Sequence, residues 1–237
     1  MTNYRIERAK DPQDLARQAC ETVAAQIDLA LDQRDRCQIA LSGGSTPASA
    51  YSLLGQERLP WHRVDVVLGD ERWVAADDAS SNAGMLRRTL LAPGPGASAA
   101  FHPVPTVELD SPEASAQAFA DQLSQLCSGA PPVFDVMLLG LGDDGHTASL
   151  FPGTEAPAVL DRWTTIGRGK GLDRITMTAP VLSAARQVIF LVSGAGKQEA
   201  LRRLVDPSES SDRTPARLVQ PASDVLILAD QDAAAGL

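Results

Sequence analysis

Five short apolar runs most strongly limit the folds open to this sequence. Each is nearly continuous in Val, Ile, Leu and Met, and none shows the polar alternation of a half-exposed strand. Such runs are typical of strands that helices cover on both faces. The runs are residues 38–41, 64–68, 134–139, 188–192 and 225–228. Together they predict a parallel β-sheet.

The stretches between these runs have helical character. The first begins at Asp11 and Pro12, where Asp11 can cap the helix and Pro12 suits its first turn. Apolar residues then recur every four positions from Leu15 to Leu31, which predicts one buried face. Further helices are predicted at residues 47–54, 81–91, 112–126 and 197–205. Strands that alternate with helices predict an α/β fold, a doubly wound and mostly parallel sheet with helices on both faces and ligands at the carboxyl ends of its strands.

Two further segments, residues 163–166 and 174–178, are rich in β-forming residues and predict a small additional β segment, as edge strands or as a hairpin. The chain has 237 residues, of which 44% are hydrophobic, and this is enough for a sizeable core. None of the polar loops has the character of an interdomain linker. We therefore expect a single domain over residues 1–237.

Charge and cysteine content exclude several classes of protein. The chain has 21 Lys and Arg against 30 Asp and Glu, and its formal net charge of −9 disfavours non-specific attraction to nucleic acid or to an anionic membrane. Cys20, Cys37 and Cys127 are widely spaced, so they predict neither a disulfide framework nor a zinc site. The first residues carry charge and include no apolar secretory segment. We expect a cytoplasmic protein without a metal.

A Gly-rich turn follows the first of the five runs. Gly43 and Gly44 allow a ligand to approach the backbone, and Ser45 or Thr46 can cap the helix that begins at Pro47. Free N–H groups at the start of a helix, joined by two hydroxyl groups, form a cradle suited to phosphate. An ordinary tight turn with an ordinary cap remains the alternative from this segment alone.

Charged residues follow the second run. Asp70 and Glu71 cannot both face the same way on an extended chain, so we expect one to line a cleft and the other to contact the scaffold. Arg72 offers a planar guanidinium group for a phosphate or a carboxylate. A solvated charged turn is the alternative, but the position at the end of a predicted strand favours a ligand site.

Residues 140–145, which follow the third run, match the Gly-x-Gly-x-x-Gly pattern of dinucleotide sites. We reject that interpretation because Asp143 and Asp144 would put negative charge where a pyrophosphate must lie. His146 is the stronger signal, since a polar Gly-rich turn at a strand end is a poor place for a core histidine. The two aspartates and His146 could instead hold a metal ion, but no second cluster of ligands supports this.

Lysine is scarce, and only one of the three lysines directly follows a strand. Lys197 comes after the fourth run, where its ammonium group can point towards the same cleft as Ser45 and Arg72. Lys10 is near the terminus and Lys170 lies in a polar loop, so we expect both to be solvated.

The segments at these strand ends, taken together, resemble the 6-phosphogluconolactonase family. The resemblance rests on five segments that occur in the family's order, and the third is highly specific. They read Leu-Ser-Gly-Gly-Ser-Thr-Pro, Gly-Asp-Glu-Arg, Gly-Leu-Gly-Asp-Asp-Gly-His-Thr-Ala-Ser-Leu-Phe-Pro-Gly, Arg-Ile-Thr-Met-Thr and Gly-Ala-Gly-Lys. The resemblance implies hydrolysis of 6-phospho-D-glucono-1,5-lactone without a metal or organic cofactor. It also implies a Rossmann-like fold shared with glucosamine-6-phosphate deaminases and ribose-5-phosphate isomerases.

Within this resemblance, His146 is predicted to be the general base that activates a water molecule. Asp70 would orient the imidazole or the water, and Arg72 would stabilise the oxyanion or bind the phosphate. Gly43, Gly44, Ser45, Thr46, Gly145, Thr147 and Lys197 are the predicted substrate-binding residues. The expected partner is a phosphosugar lactone, and no obligate protein partner is predicted.

The chain departs from related patterns at two places. The deaminases carry a Glu five residues after the corresponding His and use it for ring opening, whereas this chain has Phe151 there. A sugar-phosphate isomerase or deaminase is therefore the less favoured alternative, and a non-catalytic sugar-phosphate sensor is another. The second departure lies between Glu155 and Asp173, where the family's Pro-rich approach is replaced by Arg-Gly-Lys-Gly.

Overall fold

A parallel β-sheet forms the centre of the fold. In this computed structural model, which describes residues 2–237, the strands fall into a seven-stranded sheet and a three-stranded sheet. Numbered along the chain, they are β1 (Tyr4–Ala9), β2 (Cys37–Leu41), β3 (Val64–Leu68), β4 (Asp70–Arg72), β5 (Ala100–Phe101), β6 (Val136–Gly140), β7 (Thr164–Gly169), β8 (Leu172–Met177), β9 (Gln187–Val192) and β10 (Val225–Asp230). The larger sheet has the order β1-β10-β9-β6-β2-β3-β5, and its strand pairs are parallel.

All five apolar runs are strands of the larger sheet, which confirms the predicted fold class. Their residues are almost completely buried because helices cover both faces of the sheet. The sequence did not predict the two edge strands. In β1 the partly buried Tyr4 and Ile6 alternate with the exposed Arg5 and Glu7, and β5 has only two residues. An edge strand lacks the continuous apolar run that reveals a central one.

The helices follow the predicted alternation with small changes at their ends. They are α1 (Pro12–Gln33), α2 (Ser45–Leu54), α3 (Asn82–Arg88), α4 (Pro112–Leu126), α5 (Ala179–Ala184) and α6 (Gln198–Val205). The side chain of Asp11 accepts hydrogen bonds from two backbone N–H groups at the start of α1, as predicted. Helix α3 ends three residues earlier than expected, and α5 was not predicted. None of these helices combines the length and the apolar composition that a membrane span requires.

The three-stranded sheet has the order β4-β8-β7 and is antiparallel. Strands β7 and β8 form the hairpin that was one of the two predicted forms of the additional β segment. Strand β4 was not predicted, because it consists of the charged residues that follow β3 after a single glycine. Its pairing with β8 joins Asp70 to Thr176 and Arg72 to Arg174. This small sheet therefore brings two distant segments together at the carboxyl end of the larger sheet.

Candidate active site

A cleft of about 220 Å³ lies at the carboxyl ends of β2, β3, β6 and β9, where the doubly wound topology predicts a ligand site. Its walls come from the loops after these strands, from α3 and from the β7–β8 hairpin. The lining residues are Ser42, Gly43, Asp70, Arg72, Asn82, Gly140, Leu141, Gly142, His146, Ala148, Lys170, Arg174 and Lys197. Five of the predicted site residues therefore line this cleft, namely Gly43, Asp70, Arg72, His146 and Lys197.

The turn after β2 brings the start of α2 to the cleft. Gly44 is the N-cap, so no side chain caps this helix, and the expected capping role of Ser45 or Thr46 is wrong. The first hydrogen bond of the helix joins the Ala48 N–H group to the Gly44 carbonyl at 3.2 Å. The N–H groups of Ser45 and Thr46 precede it and have no partner within the helix. Ser42 and Gly43 of this turn line the cleft wall, whereas the predicted binding residues Gly44, Ser45 and Thr46 are not among the lining residues.

Asp70 and Glu71 face opposite ways, as expected for neighbours on an extended strand. Asp70 lines the cleft, whereas the buried Glu71 carboxylate accepts hydrogen bonds from the N–H groups of Arg72, Asn82 and Ala83 at 2.7–2.8 Å. Burial raises the pKa of Glu71, although these N–H groups oppose the rise. Glu71 thus fixes the start of α3 against β4, which is its predicted contact with the scaffold.

Arg72 is held in place by two acceptors. Its Nη1 donates to the Ser80 carbonyl at 2.5 Å and to the Asn82 Oδ1 at 2.6 Å. Asn82 also donates to the Asp70 carbonyl and packs directly against Gly43, where an added Cβ would lie 1.9 Å from the Asn82 Oδ1. The guanidinium group of Arg72 is therefore placed beside the turn before α2. No sequence pattern marks Asn82 as a lining residue, because it is the first residue of the helix α3 and belongs to no strand-end motif.

Asp70 contacts two groups across the cleft floor. Its Oδ2 accepts a hydrogen bond from the Ser149 hydroxyl at 2.5 Å and lies 3.9 Å from Nη1 of Arg174. Arg174 is almost fully buried, and its guanidinium group lies 5.4 Å from the centre of the Phe151 ring. Burial lowers the pKa of Arg174, although Asp70 opposes that effect. Arg174 is thus a cleft cation that the sequence did not single out, since it lies mid-strand in β8.

His146 is oriented by Asp144. The imidazole Nδ1 lies 2.5 Å from the Asp144 Oδ1, which also accepts the His146 backbone N–H group at 3.1 Å. Burial of Asp144 raises its pKa, but the hydrogen bonds from His146 outweigh this and the pKa lies below its usual value. Asp144, and not Asp70, thus contacts the imidazole, and of the two roles predicted for Asp70 the orientation of a water molecule stays a prediction. Asp70 remains available to a bound water molecule.

The environment of the imidazole favours its neutral form. Burial lowers the pKa of His146, although the hydrogen bond and the charge of Asp144 act in the opposite direction. With its Nδ1–H directed to Asp144, the imidazole has its lone pair at Nε2. On one side the ring packs against Phe151 at 4.5 Å between ring centres. A neutral histidine with an oriented Nδ1 can accept a proton at Nε2.

Two predicted substrate-binding residues support the loop of His146 and do not line the cleft. Gly145 has a φ of 92°, and its carbonyl accepts the Ala216 N–H group at 3.0 Å. Thr147 is fully buried, and its hydroxyl donates to the Gly140 carbonyl at 2.8 Å. Asp143 and Asp144, which the sequence offered as possible metal ligands with His146, point to different partners. Asp144 contacts His146, whereas Asp143 lies near the Lys170 ammonium group.

Two lysines line the cleft. Lys197 ends a short turn after β9 and lies in the cleft wall, as expected. Lys170 was expected to be solvated; its side chain is about half exposed, and it also lines the same cleft from the tip of the β7–β8 hairpin. Its position depends on how the hairpin folds over the loop of His146, and no local pattern reveals that. Gly169, next to it, lies against the Phe151 ring at a distance that leaves no room for a Cβ.

Comparison with known proteins identifies relatives over nearly the whole chain. Residues 10–228 match the family described as glucosamine-6-phosphate isomerases/6-phosphogluconolactonase. The 6-phosphogluconolactonase of Synechocystis is 43% identical over 228 residues, with 95% of both chains covered, and that of Nostoc is 40% identical, with 98% of both covered. The solved 6-phosphogluconolactonase structure from Trypanosoma brucei is 28% identical, covers all of both chains and has a TM-score of 0.87.

Proposed function

The chain belongs to the glucosamine-6-phosphate isomerase/6-phosphogluconolactonase family, and we propose that it hydrolyses 6-phospho-D-glucono-1,5-lactone to 6-phospho-D-gluconate. This reaction is the second step of the oxidative pentose phosphate pathway. The observation that best supports this function is the cleft itself. Its His146 imidazole is oriented by Asp144 and favoured in the neutral form, and four cationic side chains line the same cleft. We further propose that residues 1–237 act as one domain in the cytoplasm, without a protein partner or nucleic acid.

In the proposed mechanism His146 Nε2 takes a proton from a water molecule, and the resulting hydroxide attacks the C1 carbonyl of the lactone. The tetrahedral intermediate then collapses, and the bond between C1 and the ring oxygen breaks. His146 returns its proton to the ring oxygen, which becomes the C5 hydroxyl of the acid. Proton transfer by such a positioned group typically contributes about 10²–10⁴-fold. Asp144 holds the imidazole and stabilises its protonated form.

Asp70 has a separate part in this proposal. It lines the cleft, and its carboxylate is fixed by Ser149 and Arg174. A buried carboxylate in this position can accept a hydrogen bond from the attacking water and so orient its lone pair towards the lactone. Asp70 therefore orients the water, whereas Asp144 orients the base.

We assign the 6-phosphate to the end of the cleft at the turn before α2. The N–H groups of Ser45 and Thr46 are free of helical partners there, and Gly43 packs against the Asn82 that holds Arg72. Of the two roles that the sequence left open for Arg72, this neighbourhood favours phosphate binding. Lys197 supplies a second cation at the cleft wall. Gly44 contributes to this site through its backbone, and Gly145 and Thr147 contribute by shaping the loop of His146.

An isomerase or deaminase on the same fold is disfavoured by Phe151. The position five residues after His146 holds an aromatic ring that packs against the imidazole and Arg174. A phenyl ring can neither give nor take a proton, so it cannot serve the ring opening for which the deaminases use a Glu. A sensor without catalysis needs the phosphate site but has no need for the pairing of His146 with Asp144.

The direct test supplies fresh 6-phosphogluconolactone and measures acid release above the spontaneous rate. We expect strong acceleration by the wild type and a fall of about 10²–10⁴-fold in kcat for His146→Ala. His62→Ala is the matched control, because His62 is exposed and lies at the opposite ends of the strands. No acceleration by the wild type at high concentration would favour the sensor, and full activity of His146→Ala would remove the assigned base.

A further inference from the structure

The hairpin of β7 and β8 ends in an unusual turn. The two strands pair as far as Gly169 and Leu172, so that Lys170 and Gly171 alone form the turn. Both have positive φ, at 56° for Lys170 and 80° for Gly171. Hairpin turns with two positive φ angles favour Asn-Gly, because other side chains are strained in the left-handed region. Strained residues of this kind cluster at functional sites.

The hairpin is fixed over the loop of His146. An added Cβ on Gly167 would lie 2.3 Å from the Ser149 carbonyl oxygen, and one on Gly169 would lie 2.5 Å from the Phe151 ring. Close packing at two positions on the same face of β7 leaves the hairpin little freedom. The turn therefore holds the Lys170 backbone at a set place on the cleft wall, next to the Phe151 ring that packs on His146.

The ammonium group of Lys170 has only a weak partner in the described part of the chain. Its Nζ lies 3.7 Å from the Asp143 Oδ1, and both side chains are more than half exposed. Lys170 and His146 line the same cleft, and Gly169, the neighbour of Lys170, packs against the Phe151 ring that contacts the imidazole. A cation that lines the cleft beside the base and is loosely paired is available to a substrate.

We propose that Lys170 is a substrate-contacting residue at the reacting end of the cleft, where its ammonium group stabilises the negative charge that develops on the carbonyl oxygen of the lactone. This inference rests on the lactonase function proposed above. The carbonyl oxygen is neutral in the bound lactone and negative in the tetrahedral intermediate, so the contact strengthens as the reaction proceeds. The phosphate, in contrast, is charged throughout the reaction, and in the proposed function Arg72 and Lys197 hold it.

The test uses Lys170→Asn, because Asn tolerates positive φ and removes the charge without adding strain. We expect kcat to fall about 10- to 100-fold with little change in KM, while the thermal unfolding midpoint is at least that of the wild type. The matched control is Arg168→Gln on the same hairpin. Arg168 contacts Glu113 and Asp173 outside the cleft, so its loss should leave kcat unchanged.

The pH profile supplies a readout that a purely structural role would not move. The charged groups that act on His146 are Asp144 from its own loop, Asp70 from β4 and Lys170 from the hairpin. Loss of the Lys170 charge makes the imidazolium form easier to reach. The acid limb of kcat/KM should therefore move to higher pH in Lys170→Asn and stay in place in Arg168→Gln.

Two inhibitors distinguish a Lys170 contact with the reacting group from a Lys170 contact with the phosphate. 6-Phosphogluconate carries both a phosphate and the product carboxylate, whereas inorganic phosphate lacks the carboxylate. Lys170→Asn should weaken inhibition by 6-phosphogluconate and leave that by inorganic phosphate unchanged. Equal weakening of both, or a rise in KM at unchanged kcat, would move Lys170 to the phosphate and overturn the inference. Unchanged kinetics in an active protein would also overturn it, whereas an inactive wild type would instead contradict the lactonase function.

Discussion

His146 and Asp144 are joined through the imidazole Nδ1, which lies 2.5 Å from the Asp144 Oδ1. The contact spans only two residues of sequence and is made possible by the positive φ of Gly145 between them. Because the same oxygen also accepts the His146 backbone N–H group, the short loop fixes both the position and the tautomer of the imidazole. The following predictions concern this pair and the groups around it.

Substitution of Asp144 by Asn tests the pairing directly. We expect kcat/KM to fall by roughly 10²-fold or more, because the imidazole loses the carboxylate that stabilises its protonated form. Asp144 raises the pKa of His146, so its loss should lower that pKa further and move the acid limb of the remaining activity to lower pH. This shift is opposite to the one expected for Lys170→Asn.

The control for this change is Asp143→Asn, which removes a carboxylate from the neighbouring residue without touching the imidazole. It should retain most of the activity. A pH profile of Asp144→Asn that coincides with that of the wild type would show that Asp144 does not set the protonation of His146.

Gly142→Ala should displace the imidazole without unfolding the protein. An added Cβ would lie 2.0 Å from Nδ1 of His146 and 2.6 Å from the Asp144 Oδ1, so both side chains must move. A shift of about 1 Å in a catalytic group can cost about 10²-fold in rate. Circular dichroism and lactonase assays should report a folded protein with that loss. Gly196→Ala, where an added Cβ meets nothing within 4 Å, should remain active.

Lys197→Ala should chiefly weaken substrate binding. A charged hydrogen bond to the phosphate is worth about 1.5–3 kcal/mol and is present in both the ground and transition states. KM is therefore expected to rise about 10- to 100-fold with a smaller change in kcat. Steady-state kinetics with Lys10→Ala as control measure the effect, since Lys10 is exposed outside the cleft. A fall in kcat at constant KM would place Lys197 in the chemical step.

Asp65→Asn should destabilise the opposite end of the sheet. The buried Asp65 carboxylate accepts hydrogen bonds from Arg36 at 2.7 Å and lies 2.9 Å from Nε2 of His102. Because Arg36 is nearly half exposed and its charge is screened by solvent, loss of the Asp65 carboxylate should cost about 1–2 kcal/mol in the free energy of unfolding. Denaturant unfolding at neutral pH measures this loss. The exposed Asp161→Asn should change stability by less than about 0.5 kcal/mol.

The pH dependence of stability gives a second check on Asp65. Burial raises its pKa, but the hydrogen bonds from Arg36 and His102 outweigh burial, and the net shift is downward. A carboxyl group whose pKa is lower in the folded state stabilises the protein above its unfolded pKa of about 3.9. That contribution is lost as the pH falls through the folded pKa. The difference between the wild type and Asp65→Asn should therefore shrink in acid, and a constant difference would contradict this assignment.

The sequence alone determined the five inner strands of the larger sheet and singled out His146 as the proposed base. Five apolar runs could be recognised because strands buried on both faces are apolar at nearly every position. Burial of this kind is therefore visible in the local sequence. His146 and Lys197 could be recognised for a related reason. The parallel topology places the residues after each strand at one edge, so a histidine and a lysine at those positions must lie near each other.

Only the tertiary structure decided which side chains complete the site. Arg72 and Arg174 are about a hundred residues apart but are paired in register between β4 and β8, and Lys170 reaches the cleft because its hairpin packs on Phe151. The choice of Asp144 over Asp70 as the partner of His146 likewise depends on distances of a few ångströms between loops. Such contacts leave no periodic pattern along the chain, because they arise from the packing of one element on another.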